Sequence, residues 1–165
     1  DADGTIIRGS LPNNTVVDLY PEPAMAVTIV GKEASESPEI LAEILREIRG
    51  ARVTLLGMSI NHNSLILYLP MSAGSLLESL HSIVVGDERA IAMAVRKDLA
   101  FIRVRGVGLE ETPGVIGGIA EALNSAGINI YGVFTITSSV LIFVDLKDQA
   151  KAVRLIEESV RTNTD

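Results

Sequence analysis

The chain has 165 residues, enough for one sizeable domain or two small ones. A net charge of -7, with 14 basic residues scattered along the chain, argues against a polyanionic partner such as nucleic acid. With no Cys there is no disulfide framework, thiolate metal site or cysteine nucleophile, as suits a cytoplasmic protein, and no apolar run reaches the ~18 residues of a membrane span.

The start, "DADGTIIRG", lacks an initiator Met, so we expect a piece of a longer protein. "TVVDLY" (15–20) reads as a strand. A second strand follows over Met25 to Val30, then a polar loop, "KEASESPEI", in which Ser37 is placed to cap a helix opened by Pro38. The helix carries Ile40, Leu41, Ile44, Leu45 and Ile48 on one stripe. Two strands joined by a tight turn come next, Arg52 to Ile60 and Ser64 to Leu69, then a helix around Ser75 to Val84 and a strand in "RAIAMAV" (89–95).

The order then repeats. Phe101 to Arg105 reads as a strand, Thr112-Pro113 as a helix start, and Val115, Ile116, Ile119, Ala120 and Leu123 as an apolar stripe. Strands over Ile128 to Ile136 and Val140 to Val144 precede a helix over Asp148 to Val160. Pro38 and Pro113, Gly31 and Gly106, and Gly57 and Gly132 are each 75 positions apart (113 − 38 = 75), so roughly sixty residues align without a gap. Shared Pro and Gly positions imply shared backbone geometry.

Each copy reads β-α-β-β-α, one strand short of the ferredoxin-like βαββαβ unit. Residues 89–95 supply that strand to the first copy. The polar tail "RTNTD" cannot supply it to the second, so Thr15 to Tyr20 is expected to do so, interlocking the units by exchange of the N-terminal strand. The expected organisation is a completing strand segment in residues 1–20, a first unit in 21–97 and a second in 98–165. The fold class is α+β, with antiparallel sheets covered by helices. An apolar content of 47% with aromatics at 4% fits sheets filled by aliphatic side chains.

Two such units with "TPGVIGG" and "AGINI" resemble tandem ACT domains, and most closely the C-terminal regulatory region of aspartate kinases. In that family a "GT-x-I" strand, here Gly4-Thr5-Ile6-Ile7, leads out of the kinase domain. The second unit carries a "VGVGM…HPGV" loop, here "RGVGLEETPGV" from Arg105. The resemblance implies allosteric binding of an amino acid such as lysine or threonine near the loop and helix start, in a homodimer or higher oligomer, with a kinase domain elsewhere. Two positions depart from the family. The first unit has Pro38-Glu39 where a Pro-Gly pair is expected, and Phe134-Thr135-Ile136-Thr137 stands where aspartate kinases have "S-T-S-E".

The loop chemistry excludes a nucleotide. Gly106 and Gly108 form G-x-G, but Glu111 takes the third glycine's place, no Walker lysine follows, and Glu110 and Glu111 repel polyphosphate. A zwitterion fits better. The amides of Gly114, Val115 and Ile116 can hold an α-carboxylate, and Glu110 or Glu111 an α-ammonium, with Asn129 offering a donor and an acceptor. The candidate site is therefore Gly108, Leu109, Glu110, Glu111, Thr112, Pro113, Gly114, Val115, Ile116, Asn129 and Ile130. A plain capped helix start, with solvated glutamates, remains the other reading. The first copy's acidic loop reads as a solvated connector.

No catalytic constellation is visible. His62 falls in a turn and His81 on a helix, without metal-ligand spacing, and Ser138-Ser139 lack a nucleophile's context. We expect no cofactor, no metal, and no enzyme activity in this chain. The competing expectation to an amino-acid sensor is a stand-alone tandem unit acting in assembly, with a degenerate pocket.

Overall fold

The computed structural model describes residues 15–32, 38–107, 109, 112–136 and 138–162. The stretch Gly4 to Ile7, the cap expected at Ser37, and Gly108, Glu110, Glu111 and Thr137 lie outside them.

The elements run β1 (Val16–Leu19), β2 (Ala24–Gly31), α1 (Pro38–Gly50), β3 (Gly57–Asn61), β4 (Ser64–Pro70), α2 (Leu76–Gly86), β5 (Ala90–Arg105), α3 (Val115–Ser125), β6 (Ile130–Ile136), β7 (Ser139–Asp145) and α4 (Gln149–Thr162). Strand order is β3-β4-β2-β5-β7-β6, with β1 also paired to β5. All pairs are antiparallel. The fold is two ferredoxin-like units, each with its helix pair on one face of its sheet.

The expected strands in 89–95 and 101–105 are one. β5 runs unbroken for 16 residues: its first half pairs with β2, its second with β7. A register shift between Ala24 and Ala26 of β2 marks a bulge opposite, where Asp98 adopts φ 57. Aspartate tolerates the left-handed region better than most residues, and a bulge bends the strand that carries it.

β1 lies along the second half of β5, from Val16↔Arg105 to Leu19↔Ile102, on the flank opposite β7. This is the fourth-strand position of the second unit. β1 and β2 share one flank of β5 end to end, separated by Tyr20–Pro23, so β1 reaches that position without crossing the first unit. Val17 packs into the second unit's core.

The bend brings the two half-sheets face to face. β4 and β7 are three steps apart in strand order, about 14 Å in a flat sheet. Yet the rings of Tyr68 on β4 and Phe143 on β7 stack with centroids 4.0 Å apart. Tyr68 also meets Phe134 of β6 edge-on at 5.4 Å. Three apolar layers result. Ile44, Ile48 and Leu80 fill the layer beneath α1 and α2. Ile119, Leu123 and Ile156 fill the one beneath α3 and α4. Tyr68, Phe101, Leu141 and Phe143 lie between the sheets. The helix stripes are narrower than expected: Leu45 and Ile116, at the rims, stay 37% and 42% exposed.

The repeat is visible in the hydrogen bonds. Gly31 donates to Asn63 O at 2.9 Å, and Gly106 to Ser138 O at 3.0 Å. Val53 donates to Ile48 O, and Ile128 to Leu123 O, closing the two equivalent helix ends. There the chain turns through Arg52 at φ 55 in the first copy and Gly127 at φ 73 in the second. Because this left-handed turn is followed by a short return segment, the next strands open at Gly57 and Ile130, later than expected from Arg52 and Ile128.

Candidate functional site

In the first copy the helix opens at Pro38 as expected; in the second it opens at Val115, two residues after Pro113. Gly114 is the reason. It takes φ 88 as the N-cap residue of α3, a left-handed conformation that Glu39 at the equivalent position does not share. The cap is therefore Gly114 rather than Thr112, and no side-chain cap bond is made there. No atom lies within 4 Å of where a Cβ on Gly114 would sit, so the space above the backbone is open.

The space belongs to a pocket of about 220 Å³ lined by Leu109, Thr112, Gly114, Val115, Ile116, Thr135, Ser139 and Val140. Leu109 and Val115 are buried and form its floor with Val140. Gly106 anchors the loop: its amide is bonded to Ser138 O, and a Cβ there would lie 2.9 Å from Thr15 Oγ1. The first α3 amides point toward the pocket end of the helix, where they have no intrahelical acceptor and favour an anion. The side chains described in the lining are apolar or hydroxyl-bearing, so the helix terminus is the electrostatic feature of the site.

Of the expected residues, the structure brings together Leu109, Thr112, Gly114, Val115 and Ile116, with Pro113 exposed between Thr112 and Gly114. Asn129 and Ile130 are placed elsewhere, which corrects the expectation that they border this pocket. They begin β6, whereas the pocket meets β6 at Thr135 near its other end. A strand rises about 3.3 Å per residue, so some 16 Å of β6 separates them. Ile130 packs into the second unit's core and Asn129 is exposed. The sequence reading missed Thr135, Ser139 and Val140. The hydroxyl-rich stretch from Thr135 to Ser139, next to a hairpin turn, was the available signal.

The equivalent place in the first unit is nearly closed. A space of about 20 Å³ remains between Gly31, Ile40, Leu41, Ile44, Leu65 and Ala90. Glu39, in place of the glycine, receives a contact from Arg89 at 3.4 Å. A Cβ on Gly31 would lie 2.8 Å from Arg89 O, so the residue before β5 sits directly on the end of β2.

His62 and His81 are exposed, in the β3–β4 turn and on α2. Among the described residues no group of three His, Cys, Asp or Glu could hold a metal ion, and no helix is long and apolar enough to cross a membrane.

Comparison with known proteins gives the class first: residues 94–158 match the ACT domain model, so the second unit carries the ACT signature. The solved structures that the chain resembles are of aspartate kinases and their subunits. Aspartokinase alpha and beta subunits superpose with a TM-score of 0.75 at 18% identity, covering 89% of this chain and 97% of theirs. The regulatory subunit of aspartate kinase from Thermus flavus gives 0.73 at 18% identity, over 88% and 96%. E. coli aspartokinase III in complex with lysine and aspartate gives 0.63 at 15% identity, over 92% of this chain but 33% of that enzyme. No curated protein sequence matches. The chain thus shares its fold with these aspartate kinase structures.

Proposed function

We propose that the chain is an amino-acid-binding allosteric regulatory domain of the aspartate kinase type, with its effector in the second unit's loop pocket. The observation that carries this is Gly114: its left-handed cap opens about 220 Å³ over a helix N-terminus, where the first copy keeps about 20 Å³. The effector's α-carboxylate lies on the amides of Gly114, Val115 and Ile116. Its α-ammonium takes the hydroxyl of Thr112 or Ser139, loop carbonyls, or the carboxylates of Glu110 or Glu111. Lysine in the E. coli relative supports an amino acid as the ligand class.

In this reading the chain does no chemistry of its own. A kinase domain in the same protein or in a partner would supply ATP-dependent phosphotransfer, and effector binding here would control it. A homodimer or higher oligomer is part of the proposal, because the exposed edge strands β3 and β6 are suited to pair with a second copy. Calorimetric titration with the twenty amino acids tests it: one of them binds with a single saturable site per chain. Folded protein that takes up none of them would sink the sensing role.

A second reading is an assembly module with a degenerate pocket. β3 and β6 are open sheet edges, and Met58, Ile60, Val133 and Ile136 on them are exposed. Small-angle scattering distinguishes this reading: it requires oligomers with no effector present, and a strictly monomeric profile at high concentration is incompatible with it.

A further inference from the structure

The two units meet along two seams, one on each side of the Tyr68–Phe143 stack, and the repeat makes them comparable residue by residue. At the first seam Tyr131 of β6 faces Arg96 of β5. The Arg96 guanidinium lies over the Tyr131 ring at 3.9 Å, the Tyr131 hydroxyl donates to Asp145 at 3.0 Å, and Arg96 reaches Asp145 at 3.4 Å. Those three contacts bridge that seam. At the second seam the repeat places Leu56 at the position of Tyr131. Tyr20 takes the position of Arg96, each lying beside a matched strand residue, Phe101 or Ala26. Leucine and tyrosine reproduce neither the stacked cation nor the ion pair, and the seam stays open as a cleft of about 430 Å³.

The cleft has a consistent chemistry. Tyr20, Leu55, Leu56, Phe101 and Leu141 give it apolar walls, with Tyr20 and Phe101 in ring contact at 5.5 Å. At its rim Arg103 shares the Asp18 carboxylate with Arg105, which lies outside the lining. Arg105 Nε donates to Asp18 at 2.8 Å, whereas Arg103 reaches the same oxygen at 3.6 Å. The rim therefore carries surplus positive charge, on a chain whose net charge is -7. An apolar cavity whose mouth carries, among the described residues, one more guanidinium than carboxylate selects a ligand with an apolar body and a single anionic group.

We propose that this open seam is a second ligand site, separate from the loop pocket, for a small amphipathic organic anion whose carboxylate pairs with Arg103 and whose apolar part lies between Leu55, Leu56 and Phe101. The site joins the return segment of the first unit to β1 and β5 of the second, so occupancy holds the two units at a fixed angle.

The test uses the 165-residue chain with naphthylacetate and its neutral analogue naphthylacetamide as probes, read by calorimetry and by methyl NMR. The expected result is saturable one-site binding of the acid, with shifts at Leu55, Leu56 and Leu141 and affinity weakened about tenfold or more for the amide. Arg103→Gln weakens the acid to the level of the amide. Thr54→Phe, at an exposed position on the cleft wall, abolishes both without unfolding the protein. No saturable binding, undiminished binding to Arg103→Gln, or shifts centred on Leu109 and Val115 would each overturn the proposal. So would binding lost on concentrating the protein as its mass doubles, because a second copy would then fill the seam.

Discussion

Tyr68 and Phe143 occupy the same position of the repeat, 75 residues apart, and stack on one another with ring planes 24° apart. A position that touches its own copy must lie beside the axis relating the two copies, as at an isologous interface. The copies have nonetheless diverged there. Tyr68 keeps a hydroxyl, and it donates to Tyr131 O at 2.6 Å. A register shift between Ile130 and Gly132 in the β6–β7 pairing frees that carbonyl.

Tyr68→Phe should destabilise the protein by about 1–2 kcal/mol, because it leaves a sheltered carbonyl without its donor. It also removes a titration. Burial raises the Tyr68 pKa above its ordinary 10.0. The buried phenol resists ionisation, so its contribution is intact below pH 10.0 and lost as pH rises through the raised native value. Denaturation midpoints measured across the alkaline range should converge between wild type and Tyr68→Phe; a constant gap would refute the assignment.

Gly132 and Gly57 are also repeat partners, and both face the opposite unit. A Cβ on Gly132 would collide with Tyr68 Oη, whereas one on Gly57 would lie 3.4 Å from Phe134 Cε2. Tyr68 is held between Phe134 and Phe143 and cannot step aside. Gly132→Ala should therefore cost about 3 kcal/mol, and Gly57→Ala under about 1 kcal/mol. Thermal unfolding of the two variants checks the order.

Arg52→Gly should stabilise the chain by roughly 1 kcal/mol, since Arg52 sits at φ 55 where the second copy has Gly127. Gly127→Ala should lose a similar amount. Chemical denaturation measures both, and equal signs would contradict the shared turn.

Gly114→Ala meets no atom, so its effect comes from φ 88 alone. The strain is about 1–2 kcal/mol, relieved if α3 starts earlier, as α1 does at Pro38. Either way the cap that opens the pocket changes. The expected result is a folded protein whose effector affinity, measured by calorimetry, falls roughly tenfold or more. Wild-type affinity in this variant would remove Gly114 from the site.

The proposed unit boundaries, with residues 1–20 completing the second unit, make an asymmetric prediction. Removing residues 1–20 uncovers the flank of β5 over Ile102–Arg105 and withdraws Val17 from beneath α4. Hydrogen exchange should accelerate over β5, β6 and β7 of the second unit, while β3 and β4 keep their protection. Uniform protection throughout would mean that β1 is dispensable.

The amino-acid sequence by itself determined the fold class and the repeat. Pro and Gly positions 75 apart and apolar stripes of helical period were enough to place the helices and most strand cores, and the polar tail pointed to Thr15 to Tyr20 as a strand of the second sheet. These features are local, and their physical causes act within a few residues. Element ends were less legible, because Arg52 carries a left-handed turn that its residue type does not announce. The candidate site was half legible: the loop and helix start stand in one stretch, while Thr135 and Ser139 arrive from a hairpin.

Only the tertiary structure decided the rest. β5 is a single bent strand, so the two half-sheets face each other, with Tyr68 and Phe143 at the centre. The distance from Asn129 to the pocket follows from the run of β6, and the cleft beside Leu56 and Phe101 follows from that bend. They arise from contacts between residues far apart in the chain, where register, a bulge and one glycine's φ choose among arrangements that the same apolar pattern would allow.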